Sequence, residues 1–445
     1  MQIKLLKLAA IAPFLLCSSA AIAIPFATFE TRSMGMGGVG VAIGSPDAAP
    51  LFNPALLSVS KPQDDFSLLL PSVGISVSDP SKLRDAIDSF NSVDTIGTMN
   101  THLTQLNTAI GAANQAGIVT AANAISTDIT NLSNQLTVLS NRPLSGDGGA
   151  AVIASLPGKS LGMSFYADVH VATGGIFNYG DAGTLTNPSA TPNTDPNAGL
   201  AVLAQACATD PVGNVASCNK LNSFTTTNLK SGVHFKGVAL SEMGIALSHE
   251  FSIGKSNIAV AITPKVVKAR LFDAQLKVND SNNSSSVTGS DYLADYSFAN
   301  FDIGAAKNYG NGWITGFVIK NVLPQTLDFK YKQSPTGESL TLKPQARIGI
   351  SHSTSWSTVA LDADLTRNDP AGFEAASQYI ALGGELSAWG WVQLRAGYRL
   401  NLVDSDRNVT SVGLGFSPFG VVHADLAVAG NANEIGVSFQ LGVHF

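Results

Sequence analysis

Gly35, Gly37, Gly38 and Gly40, within Ser33-Met34-Gly35-Met36-Gly37-Gly38-Val39-Gly40, have the density of a phosphate-cradling loop. Such a loop follows a strand and opens a βαβ unit, where backbone N–H groups at a helix start approach the phosphate. No parallel-sheet pattern follows here, so nucleotide chemistry is set aside. Glycines this dense also let backbone pack closely in a confined space. His102, His170, His234, His249, His352, His423 and His444 are scattered, mostly on strand-like segments, with no close pair on one face. No metal, no cofactor and no enzyme activity is expected, since no Gly-x-Ser-x-Gly elbow or other catalytic signature stands out. Cys207 and Cys218 are too few for a tetrahedral zinc site, which leaves a disulfide or two free thiols. Arg347, Arg395 and Arg399 share one strand parity with Asp362, Asp364, Glu385, Asp425 and Glu434. Opposite charges on one side of consecutive strands suit an interstrand ionic lattice in a polar interior, or a selectivity filter.

The elements that must carry these groups are strands of one kind. At the C-terminus Ile435, Val437, Phe439, Leu441, Val443 and Phe445 alternate with Glu434, Gly436, Ser438, Gln440, Gly442 and His444. This is a strict period of two. Val392, Leu394, Ala396, Tyr398, Leu400 and Leu402 repeat the pattern, as do Val359, Leu361, Ala363 and Leu365. Segments of roughly ten alternating residues are the signature of a transmembrane β-barrel, whereas soluble sandwich strands usually run about five or six.

Composition agrees. Charged residues make up 13% of the chain against 45% apolar, a balance opposite to that of disordered chains. The net charge of −6 comes without a long basic run, so no nucleic-acid partner is expected. Lys4 and Lys7, the apolar run 8–16 and Ala21-Ile22-Ala23 form a secretory signal peptide over residues 1–23. Leu16 stands before Cys17 where a lipidation site wants a small residue. The expected address is the bacterial outer membrane, with its lipids as surroundings; an oxidising compartment favours the Cys207–Cys218 disulfide.

The predicted strands are 65–78, 149–156, 160–173, 233–251, 257–278, 291–309, 313–331, 343–352, 355–366, 378–388, 391–402, 409–417, 421–429 and 433–445. Short turns alternate with longer polar stretches, including 332–341, as in outer-membrane barrels, which carry an even strand number near 14 here. The predicted organisation is all-β: an N-terminal hatch at 24–60 and a barrel at 61–445. A helical external insertion occupies 79–148, and a second external loop, 174–232, holds the cysteines. Leu83, Ile87, Phe90, Leu103, Leu106, Ile110, Ile125, Leu132, Leu136 and Leu139 recur at helical spacing, with Gly111 and Gly117 as breakers. That stripe suits two helices that bury it mutually, or a groove for an apolar ligand or partner helix. Gly35, Gly37 and Gly38 suit a hinge or dense packing, and Asn53-Pro54-Ala55 a rigid turn.

Residues 29–58, with Asn53-Pro54-Ala55, resemble the N-terminal hatch of the FadL-like outer-membrane transporters. Arg32-Ser33-Met34-Gly35-Met36-Gly37-Gly38 is similar to the opening of the conjugal-transfer TraF-like barrels, relatives of FadL. So are Lys343-Pro344-Gln345-Ala346-Arg347-Ile348-Gly349, Leu361-Asp362-Ala363-Asp364-Leu365-Thr366 and Leu394-Arg395-Ala396-Gly397-Tyr398-Arg399. The FadL-like resemblance implies a plugged barrel passing hydrophobic small molecules. The TraF-like one implies a docking or structural barrel meeting transfer-system proteins. Phe445 and its alternating partners resemble the C-terminal signal read by the barrel-insertion machinery.

Overall fold

The computed structural model describes residues 21–22, 26, 29–43, 45–59, 65–187, 198–254, 256–278, 290–332, 334–370, 372–373, 376–388, 390–418 and 420–445. The predicted signal peptide lies outside them, apart from Ala21–Ile22, whose backbone pairs in parallel with Thr341–Leu342.

Fourteen antiparallel strands close into one barrel. They are β1 (Ser67–Ser78), β2 (Pro143–Leu156), β3 (Gly162–Asn178), β4 (Gly232–Ile253), β5 (Ser256–Lys277), β6 (Leu293–Gly310) and β7 (Trp313–Lys320). After an inward hairpin, β8 (Gln325–Tyr331) and β9 (Ser334–Leu342), come β10 (Gln345–Ser353), β11 (Ser357–Asp364), β12 (Tyr379–Ala388), β13 (Val392–Asn401), β14 (Val409–Phe416), β15 (Val422–Gly430) and β16 (Glu434–His444). Closure pairs β16 with β1 and β7 with β10, leaving the barrel wall no open edge. Pro71, which has no N–H to give, sits where the pairing of β1 shifts register between Leu69 and Ser72 on both sides.

Alternation turns each strand's apolar parity outward. Ile435 is 62% exposed, and Val437, Phe439 and Leu441 follow it on the same face, with similar rows on the other strands. Burying one such side chain is worth about 1.5–3 kcal/mol, so a girdle of them facing water is untenable and facing lipid is stable. The wall is a transmembrane β-barrel. Among the described residues no helix is long and apolar enough to cross a membrane. Tyr309, Trp313, Trp356, Trp391 and Phe445 are exposed beside the short turns, as an aromatic belt at one interface.

The predicted strand 313–331 is corrected. It leaves the wall at Lys320, and β8 folds inward to pair with β9, which occupies most of the expected loop 332–341. The alternation of Leu327 and Phe329 is a strand's in either place. Strand β2 also starts at Pro143, six residues before the expected 149, so the helical insertion is shorter than 79–148; β3 runs on to Asn178.

The insertion holds helices α3 (Leu83–Ser92), α4 (Thr95–Gly111) and α5 (Gln115–Leu139), preceded in the chain by the short α1 (Thr31–Gly35) and α2 (Ala49–Phe52). The break falls at Ala112–Asn114, where Ala113 adopts φ +50. Gly117 lies inside α5 and donates its N–H to Asn114 Oδ1 at the helix start. The apolar stripe is buried: Ile125, Ile129, Leu132, Leu136 and Leu139 form one core with Leu185 of α6 (Ala182–Thr186) and with Leu200, Leu203 and Ala204 of α7 (Leu200–Thr209). A disulfide joins Cys207 to Cys218 on α8 (Val215–Asn222), closing this cap from the second loop.

Candidate functional site

Inside the barrel, residues 29–43 and 45–59 form a plug built from α1, α2 and a 3₁₀ turn at Pro54–Ser58. Glu30 starts it: its buried carboxylate accepts from the N–H groups of Arg32 (3.1 Å) and Ser33 (2.7 Å), capping α1. Burial pushes that carboxyl above its ordinary value, against the pull of these two N–H groups.

Arg32 then grips the wall. Its guanidinium holds Glu385 on β12 with two bonds of 2.8 and 2.9 Å. Glu385 also accepts from Arg395 Nε (2.7 Å), and Arg395 Nη1 reaches Asp425 (2.5 Å). Gln440 Nε2 donates to Asp425 (3.0 Å), while Gln440 Oε1 accepts the Thr31 N–H (3.0 Å). The chain of bonds thus leaves the plug at Arg32, crosses β12, β13, β15 and β16, and returns to it at Thr31.

The opposite flank uses the remaining charged residues. Asp362 Oδ2 accepts the N–H groups of Gly40 (2.8 Å) and Val41 (2.9 Å). Arg347 pairs with Asp364 (2.6 Å), donates to the Gly38 carbonyl (3.1 Å) and lies 4.2 Å above the Phe26 ring. Arg399 reaches Glu434 at 3.4 Å. These charged residues pair between strands, and the lattice also extends onto the plug. Arg347 and Asp362 spend bonds on plug backbone, and Arg32, absent from the expected set, completes the Glu385 pair.

Asn53 ties the plug internally and externally. Its Nδ2 donates to Val41 O and Ala305 O, both at 3.0 Å, and its Oδ1 accepts the Ala55 N–H (3.2 Å). Pro54 opens the 3₁₀ turn, where its missing N–H costs nothing. Gly37 has φ +75, and a Cβ there would sit 2.8 Å from the Tyr398 nitrogen; one on Gly397 would sit 2.1 Å from the Gly37 nitrogen. Gly35 stands 3.1 Å from Gly413 by the same measure. Plug glycines meet wall glycines. The signal for Gly397 and Gly413 was present in their lumen parity, but their partner segment was not.

A second buried network lies under β4–β7. Lys265 Nζ is bound to Glu242 (2.8 Å) and Asp302 (2.9 Å), and Lys320 donates to Leu51 O of the plug (3.0 Å). Sequence reasoning missed it, although Lys265 shares parity with Ala259, Ala261 and Thr263. Toward the loop end the inner wall turns apolar: Val238, Leu240, Val267, Ala269 and Leu271 pack under Leu327, Phe329, Leu340 and Leu342 of the β8–β9 hairpin. Lys236 on the wall pairs with Glu338 on that hairpin. A cavity of about 20 Å³ remains between plug and wall beside Met34, Gly37, Ser411 and Glu434, room for about one water. This arrangement holds a lumen closed by many short polar bonds around a glycine-rich segment.

Phe445 is outside the lumen, 63% exposed, with its ring 6.4 Å from that of Phe66. His423 and His444, scattered in sequence, lie with ring centroids 4.9 Å apart, which corrects the expectation of no close pair.

A family model described as F plasmid transfer operon, TraF, protein matches residues 50–364 of the chain, well over half of it. No curated protein sequence matches it. Among solved structures, the Ralstonia pickettii toluene transporter TbuX aligns at 11% identity and a TM-score of 0.48, covering 94% of this chain and 98% of that one. The P. putida toluene transporter TodX aligns at 12% identity and a TM-score of 0.46, covering 95% and 99%.

Proposed function

The chain belongs to the F plasmid transfer operon TraF protein family, and on that footing we propose that it is an outer-membrane barrel admitting small hydrophobic molecules past a displaceable plug. One observation carries this reading. The lumen wall at the loop end is apolar where a pore for polar solutes would be polar, and its cover is a hairpin rather than a barrel strand. In this reading the loop end faces the exterior. The passenger displaces the β8–β9 hairpin, rests against Val238, Leu240 and Leu271, and waits on the plug.

Uptake of labelled toluene, chosen as a small apolar probe, tests it in cells lacking their own hydrocarbon channels. Expression of the protein should raise uptake over an empty-vector control. Joining Lys236→Cys to Glu338→Cys with a bifunctional thiol reagent should return it to background. Uptake equal to the control in the uncrosslinked protein overturns the reading.

The family description favours a second reading, in which the helical cap is a docking surface for transfer-system or envelope-assembly proteins. Loss of mating efficiency on removing α3–α5, with probe uptake intact, would select it. Either role requires insertion into the membrane, for which Phe445 is proposed as the signal to the insertion machinery. Phe445→Asp should lower the yield of membrane-inserted protein several-fold while export across the inner membrane continues. Equal yields of folded, heat-modifiable barrel remove that assignment.

A further inference from the structure

At the turn end of the barrel, three side chains from three separate segments converge. Asp47 comes from the plug, just before α2; His423 from the start of β15; His444 from the end of β16. One ligand atom from each lies within 4.8 Å of the other two. We infer that Asp47, His423 and His444 form a divalent transition-metal site, of the zinc or nickel class, that staples the plug to the barrel wall.

The donor set is two imidazoles and one carboxylate, which suits Zn²⁺ and neighbouring ions with a further position left for water. The spacing fits as well. In a tetrahedral site with metal–ligand bonds of about 2.1 Å, donors stand about 3.4 Å apart. His423 Nε2 and Asp47 Oδ2 are 3.3 Å apart, so this edge is already set, and rotation of the half-buried His444 supplies the third donor.

The surroundings make room for the cluster and leave its bonding incomplete. Gly442, opposite His423 in the β15–β16 ladder, lets the imidazole lie flat on its backbone: a Cβ there would come within 2.2 Å of Cε1 and Nε2. His423 is 8% exposed, and its Nδ1 has no hydrogen-bond partner among the described residues. Asp425 stands 3.9 Å from His423 Nε2, but Arg395 and Gln440 occupy its oxygens, so it adds negative charge without being a ligand. Asp47 also accepts from Ser45 Oγ, which orients its carboxylate.

The consequence is mechanical. On this side the neighbouring plug backbone is held by a hydrogen bond from Ser155 Oγ to Pro46 O (2.8 Å). An ion bound by one plug residue and two wall residues would add a crosslink that a chelator removes. The inference is independent of what the barrel transports.

The test uses tag-free full-length protein in detergent, stripped with chelator and titrated with Zn²⁺ against a competing indicator. One ion per chain is expected, bound at least tenfold more weakly in both H444Q and D47N and unchanged in H352Q. Co²⁺ in the same site should show the d–d absorption of a site with few ligands, lost in H444Q. His444 is partly exposed and D47N is nearly isosteric, and heat-modifiable migration verifies that each variant is folded. Absence of a saturable ion, or an ion retained by either folded variant, overturns the three-residue site.

Discussion

Deletion of residues 24–60 is expected to turn a silent barrel into a steady, ohmic conductor in planar bilayers. Eight-stranded barrels are narrow enough for side chains to fill, while those of 16–18 strands leave a water channel. A barrel of 14 strands falls nearer the second case, so something other than its own wall must occupy the lumen. Here that is the plug. The wall around it is lined at its closest approaches by Gly74, Gly304, Gly316, Gly383 and Gly397, which have no side chains to collapse into the vacated space. Conductance should rise roughly tenfold or more over the intact chain, given the width of an emptied barrel of this size. An unchanged trace would mean that the cap and hairpin seal the lumen unaided. The complementary variant joins Ala42→Cys to Ser351→Cys, residues already linked by a bond from Ser351 Oγ to Ala42 O. Oxidising that pair should abolish toluene uptake if the plug must move; normal uptake by the crosslinked protein rules out a moving plug.

Replacing Arg395 by Met should be among the most damaging single changes in the wall. Arg395 is buried between Glu385 and Asp425. Glu385 keeps Arg32, but Asp425 is left, among the described residues, with the neutral Gln440 amide and the imidazole of His423 at 3.9 Å. Removing one member of a buried ion pair typically costs about 3–5 kcal/mol, because the other charge stays desolvated and uncompensated. The midpoint of heat-induced mobility change on gels should therefore fall. Adding Asp425→Asn to Arg395→Met should restore part of the loss, since the orphaned charge is then gone. A midpoint equal to the parent's in Arg395→Met would show that water reaches Asp425 freely.

Features that depend on a residue's neighbours along its own strand are legible in the chain before it folds. A strand between lipid and a filled lumen must alternate, so Ile435 to Phe445 announces both its faces with no knowledge of its partners. The barrel, its strand number, the side carrying short turns and the helical stripe from Leu83 to Leu139 followed from such local periods. Tertiary structure alone decided which segments meet. Leu327 and Phe329 alternate as a wall strand does, yet they lie inside, because a period of two records that one face is apolar and not what covers it. The helical stripe is covered by Leu200 and Leu203 from the other insertion. Arg32 meets Glu385, 353 residues away, and Asp47 meets His423 and His444, because barrel closure and the threading of the plug bring distant segments together. No spacing in the chain encodes those distances. They arise only when β16 pairs with β1 and the glycines let the plug sit flush against the wall.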